Sequence, residues 1–107
     1  VKDLQHGKQT FYHPNGNKEK EVSYEDGLKQ GLEIHYNEDA TKDEEIQYLY
    51  GNEHGTSISY YKDGSKKRVI PYKNGKKEGK ETEYFPSGNI RKEKTWSSGK
   101  MISQTTD

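Results

Sequence analysis

Gly7, Gly31, Gly55 and Gly79 stand 24 residues apart, and Gly27, Gly51, Gly75 and Gly99 keep the same step. Two aromatic series keep it too: Tyr12, Tyr36, Tyr60, Tyr84, and Tyr24, Tyr48, Tyr72, Trp96. A fixed period of this size marks an array of one repeated supersecondary unit. The unit is clearest between Gly79 and Lys100. An alternating run, Lys80–Phe85, meets the turn Pro86-Ser87-Gly88, and a second run, Asn89–Trp96, ends at Ser98-Gly99. Runs with a period of two between Gly-marked turns are β-hairpins. The spacing therefore predicts an all-β antiparallel meander of tandem hairpins, about eight short strands in a single layer, open or curled.

Composition narrows the architecture. At 107 residues the chain reads as one repeat domain, 1–107, with repeats at about 7–27, 31–51, 55–75 and 79–99. Residues 1–6 form a lead-in. Residues 100–107 start as a further strand and end as a short polar tail. Only 25% of residues are hydrophobic, too few for a closed two-layer core. Strict aromatic register argues against disorder, because a disordered chain has no reason to keep it. The 18 cations and 18 carboxylates balance, which argues against a duplex nucleic-acid partner. With no cysteine, disulfides and thiolate metal sites are excluded. No apolar run is long enough to cross a membrane as a helix. The start at Val1, with no signal-peptide pattern, reads as a trimmed or mature form, so cytoplasm and export stay open.

Turn chemistry sets the expected register. In Pro14-Asn15-Gly16, Pro presets φ and Gly accepts φ > 0, which suits a type I turn with a G1 bulge. That loop pairs Tyr12 with Lys18, Thr10 with Lys20 and Lys8 with Val22. Both aromatic series then share one face. Tyr12, Ile34, Tyr36, Ile46, Tyr48, Ile58, Tyr60, Ile70, Tyr72 and Tyr84 are expected together, with Phe11, Tyr61 and Phe85 opposite. Asn74-Gly75 signals a two-residue hairpin turn, with one extra residue at Gly79 restoring the phase; a longer loop over 74–78 is the alternative. Pro71 requires an interrupted ladder or a solvent-facing position. Repeat two has Ala40 where the others have Gly16, Gly64 and Gly88, so a different loop is expected there, with Asn37 or Asp39 making side-chain turns.

The pattern of Tyr84-Phe85-Pro86-Ser87-Gly88 and Tyr72-Lys73-Asn74-Gly75-Lys76-Lys77-Glu78-Gly79 resembles the bacterial variant of the MORN repeat. The likeness runs through four copies, and repeat two departs from it at its turn. It implies a non-catalytic binding module. Proteins of this kind include bacterial antitoxins of toxin–antitoxin pairs and exported proteins.

No residue pattern points to catalysis, a cofactor or a metal. His6 and His54 share a repeat position, and no helical ligand spacing is present. The carboxylates fall at repeat positions suited to a solvated face. A hidden hydrolase is the weakest reading. The strongest is a protein-binding module of antitoxin or immunity type, with an exported module contacting surface protein or glycan as the alternative. The candidate contact is the acidic stretch at 37–43, with Asn37, Glu38, Asp39 and Asp43. Drift of one loop in an array is the blander account and the favoured one.

Overall fold

A computed structural model describes residues 6–106. The lead-in before His6 and the last residue of the tail lie outside them. The elements are β1 (Gly7–Tyr12), β2 (Lys18–Glu25), β3 (Leu28–Lys29), β4 (Gly31–Tyr36), β5 (Lys42–Leu49), β6 (Asn52–Glu53), β7 (Gly55–Tyr60), β8 (Lys66–Lys73), β9 (Lys76–Lys77), β10 (Gly79–Tyr84), β11 (Ile90–Ser97) and β12 (Lys100–Thr106). All pair antiparallel in one sheet, ordered β1-β2-β4-β5-β7-β8-β10-β11-β12, with the short β3, β6 and β9 beside β2, β5 and β8. The sheet measures 50 × 34 × 14 Å, the thickness of one layer. Its described core is correspondingly thin: Val22 is the one buried hydrophobic side chain.

Two kinds of turn alternate. The Gly16, Gly64 and Gly88 turns close with an amide donating to the carbonyl three residues back, as Gly16 does to His13 at 3.0 Å. Repeat two makes the same turn. Ala40 takes φ 75°, its amide reaches the Asn37 carbonyl at 2.9 Å, and Asn37 N–H donates to Thr41 at 2.8 Å. The different loop expected there is not formed. The expected side-chain turn is: Asp39 Oδ1 accepts from Thr41 N–H at 3.0 Å and from its hydroxyl at 2.5 Å. Asp63 does the same for Ser65 in repeat three. The Asx bonds and the flanking ladder hold Ala in a conformation that its Cβ disfavours.

Asn74-Gly75 forms the expected two-residue turn. Both residues have positive φ, 52° and 83°, so it is a type I′ turn, and Lys73 pairs with Lys76. The bulge that follows is larger than expected. Tyr24 faces Lys29 and Glu21 faces Ile34, so three steps on β2 oppose five on the β3–β4 segment. Two residues are extra, not one. The larger bulge leaves the residue 30 amide donating to the Ser23 carbonyl at 2.9 Å while its side chain reaches the next turn. Gln30 Oε1 accepts from Tyr50 N–H at 2.7 Å, and Glu78 holds Ser98 N–H in the same way at 2.7 Å. His6 and His54 occupy this position in repeats one and three, at 3.4 Å from the amides of Asp26 and Asn74. Their shared repeat position is thus explained by turn support. Pro71 sits where pairing toward β9 and β10 is interrupted, between Tyr72–Lys77 and Val69–Thr82, so its missing N–H is not needed.

A further bulge corrects the face assignment. Tyr12 pairs with Lys18 as the turn dictates, but Phe11 then pairs with Lys20, leaving Glu19 unpaired. Beyond it Thr10 faces Glu21, Gln9 faces Val22 and Gly7 faces Tyr24. The same shift recurs in every hairpin. One inserted residue exchanges the faces of everything beyond it. Tyr12, Ile34, Tyr36, Ile58, Tyr60 and Tyr84 therefore lie on one face, and Tyr24, Ile46, Tyr48, Ile70, Tyr72 and Trp96 on the other. The aromatic residues were expected on one side; the sheet has an aromatic series on each. Phe11 lies opposite Tyr12, as expected.

Candidate protein-interaction surface

Each face carries its own set of polar contacts. On the Tyr12 side, the Tyr36 hydroxyl donates to Glu21 Oε1 at 2.8 Å, and Tyr60 donates to Glu45 Oε1 at 2.6 Å. Lys18 and Lys42 close the same carboxylates at 3.0 and 2.8 Å. Hydrogen bonds from Lys42 and Tyr60 hold the Glu45 carboxyl below its ordinary range. Burial, followed by the Glu45 bond, pushes the Tyr60 phenol up to about 12. A phenol 15 residues on from a carboxylate thus links repeat two to repeat one and repeat three to repeat two.

The Tyr24 side carries a row that alternates rings and charges. The cross-strand register places Lys29 beside Tyr24, Glu53 beside Tyr48 and Lys77 beside Tyr72. Lys29 Nζ lies 4.9 Å from the Tyr48 ring centre and 2.7 Å from Glu33 Oε1. Lys77 Nζ lies 4.5 Å from the Trp96 ring and 3.2 Å from Glu81 Oε1, which also accepts from Trp96 Nε1 at 2.8 Å. Glu33 and Glu81 are only 4% and 2% exposed, so these cations neutralise buried charge. Burial opposes ionisation of Glu33, but bonds from Lys29 and His35 outweigh it and hold its carboxyl low. Each ring of this series also stands across from a glycine: Gly7–Tyr24, Gly31–Tyr48, Gly55–Tyr72, Gly79–Trp96. Aromatic cover over an interstrand glycine was the signal in the sequence that could have set the register.

The acidic stretch lies at the hairpin end of repeat two. Glu38 is exposed at the turn, and its carbonyl accepts from Asn15 and Asn17 side chains, both at 2.8 Å, which docks this turn on that of repeat one. The Asn37 side-chain amide donates to Thr41 Oγ1 at 3.0 Å. The hydroxyl and amide of Thr41 hold the Asp39 carboxyl below its ordinary range. Asp43 is the bulged residue of β5, the counterpart of Glu19, and is exposed. Asn37 and Asp39 thus shape the turn, while Glu38 and Asp43 present charge.

Charge is segregated along the array. Residues 31–54 hold seven carboxylates and one cation, Lys42, while residues 65–100 hold eleven cations and four carboxylates. The zero net charge conceals this. Among the described residues, Glu38, Asp39, Asp43, Glu44 and Glu53 form no ion pair, whereas Glu33 and Glu45 are compensated. No group of three or more His, Asp or Glu among the described residues is arranged to hold a metal ion. The surface depressions are shallow; one of about 480 Å³ is lined by the turn residues Lys73, Asn74, Lys76, Glu78 and Ser98.

A single-layer antiparallel sheet built from tandem hairpins with stacked turns defines a repeat scaffold. The chain belongs to the MORN repeat variant family, whose model matches residues 5–26, 53–74 and 77–98, more than half of the chain. Repeats of this family are generally non-catalytic and generally mediate protein interactions. Repeat two is outside the matched segments although it folds as the others do, in keeping with its Ala40 turn. No curated protein matches the chain. A solved structure described as the crystal structure of accessory secretory protein 1, 2 and 3 in Streptococcus pneumoniae shares the fold, at TM-score 0.52 and 11% identity. The match covers 91% of this chain and 18% of that one. Among the described residues, no helix is long and apolar enough to cross a membrane.

Proposed function

We propose that this chain is a non-catalytic module that binds a basic partner protein through repeat two and blocks that partner's surface, as a bacterial antitoxin or immunity protein does. The segregation of charge carries the reading. Among the described residues, five carboxylates without ion pairs gather around residues 38–53, while residues 65–100 are basic. A field of one sign at one place along the array steers a complementary partner and repels others. Glu38 and Asp43 make the outer contact. Asn37 and Asp39 keep the turn in shape. No nucleic acid, membrane insertion or cofactor enters this reading.

The test is binding to the protein encoded beside this one, at two salt concentrations. The Glu38→Lys/Asp43→Lys variant should lose at least tenfold in affinity at low salt with its melting midpoint within a few degrees of the parent. Binding that is unchanged by the charge reversal would rule out repeat two as the contact. The alternative reading, an exported module contacting surface protein or glycan, draws on the secretory description of the structural relative. It predicts binding to intact cell envelopes with no effect of the neighbouring gene product.

A further inference from the structure

The row of rings and charges follows one rule in two repeats and departs from it in the others, with Gln9 at the glutamate position of repeat one. In repeats two and four a lysine sits over an aromatic ring 19 residues later and pairs with a glutamate four residues later: Lys29 with Tyr48 and Glu33, Lys77 with Trp96 and Glu81. In repeat three the ring is Tyr72, but Glu53 stands in place of the lysine and Ser57 in place of the glutamate. The two changes are linked. Losing the cation would strand a buried glutamate at 57, and Ser57 is only 6% exposed.

We propose that Tyr72, Glu53 and Ser57 form a seat for one lysine or arginine side chain of the partner protein, carried on an extended basic segment laid across this face. The inference rests on the protein-binding reading above and names the chemistry of the contact. The internal lysines show the geometry: an ammonium 4.5–4.9 Å from a ring centre and within reach of a carboxylate. A cation over the ring face is attracted by its negative quadrupole, and a guanidinium adds stacking. An anion there meets the opposite field. Glu53 lies between the Tyr48 and Tyr72 columns, and no cation among the described residues pairs with it. Burial, then Glu44 and Glu33, push its carboxyl above the ordinary range, and Lys29 and Lys77 offset only part of that push. A partner's cation relieves this, as Lys29 and Lys77 do for Glu33 and Glu81.

The experiment uses the full chain and two short peptides, one with a central lysine and one with norleucine in its place, followed by NMR. The lysine peptide should shift the Tyr72 ring, Glu53 and Ser57 signals at millimolar concentration, and the norleucine peptide should not. The double variant Glu53→Lys/Ser57→Glu installs the internal pair found in repeats two and four. It should melt about 3 °C or more above the parent and lose the peptide shifts at Tyr72. Shifts spread over all carboxylates with Tyr72 unmoved would overturn the seat. So would a double variant that melts below the parent, or one that keeps the Tyr72 shifts. The two readings fail separately. If only the seat is wrong, the neighbouring gene product still binds; if the protein-binding reading is wrong, that binding is absent while the peptide shifts remain.

Discussion

The hydroxyl of Tyr60 donates a 2.6 Å hydrogen bond to the carboxylate of Glu45, from the next hairpin to the one before. Tyr36 and Glu21 make the same bond one repeat earlier. In Tyr84 the series ends differently, because position 69 is Val and offers no acceptor. These phenol–carboxylate bonds join neighbouring hairpins where the ladder between repeats is only two pairs long.

Tyr60→Phe should lower stability by about 1 kcal/mol, the scale of a hydrogen bond to a charged group that is partly exposed. Lys42 still pairs with Glu45, so the loss stays modest. Tyr84→Phe should change the melting midpoint by less, having no such partner to lose.

Alkaline titration provides a second check on the same bond. The Tyr60 phenol rises from its ordinary value of 10.0 to about 12, so the folded chain keeps a proton that the unfolded chain loses. Its contribution to stability is therefore complete below pH 10 and lost as the pH rises toward 12. The carboxylates run the other way. Glu21, Glu33 and Glu45 are held below their ordinary value of 4.5. Their contribution is present above that pH and is lost as the pH falls below it. Melting midpoints between pH 2 and 12 should show both limbs, and the Tyr60→Phe variant should flatten the alkaline one.

Ala40→Gly should stabilise the chain by about 1 kcal/mol, by relieving a left-handed conformation that Cβ disfavours. The turn already has the hydrogen bonds of its glycine counterparts, so no rearrangement is needed. A lower melting midpoint would show that Ala40 is not strained.

Tyr60→Ala should cost on the order of 2–3 kcal/mol, whereas Tyr12→Ala should cost little, since Tyr12 is 61% exposed. Val22→Ala should cost on the order of 2 kcal/mol, because Val22 is only 2% exposed. Chemical denaturation of the three variants measures the order.

Local chemistry made much of this protein legible from its sequence. The 24-residue step, the hairpins and both turn types follow from residues within a few positions of one another, because Gly, Pro, Asn and Asp act on their own backbone. The type I′ turn at Asn74-Gly75 and the side-chain turn at Asp39 were readable for that reason. The faces were not. Whether Tyr24 joins Tyr12 depends on one unpaired residue, Glu19, and nothing local in a charged strand residue marks it as a bulge. Only the pairing of whole strands, which sets each aromatic ring across from a glycine, decides it. The Ala40 turn was misjudged for the converse reason. Its own propensity opposes φ > 0, but the ladder on either side and the docking of its turn on Asn15 and Asn17 hold it there. The placement of charge divides the same way. The acidic stretch at 37–43 stood in the sequence, but which carboxylates are spent on internal lysines and which remain open was decided by strand register. Lys29 and Glu33 meet Tyr48, and Glu53 forms no ion pair among the described residues, only because the sheet brings residues about 20 positions apart onto one row.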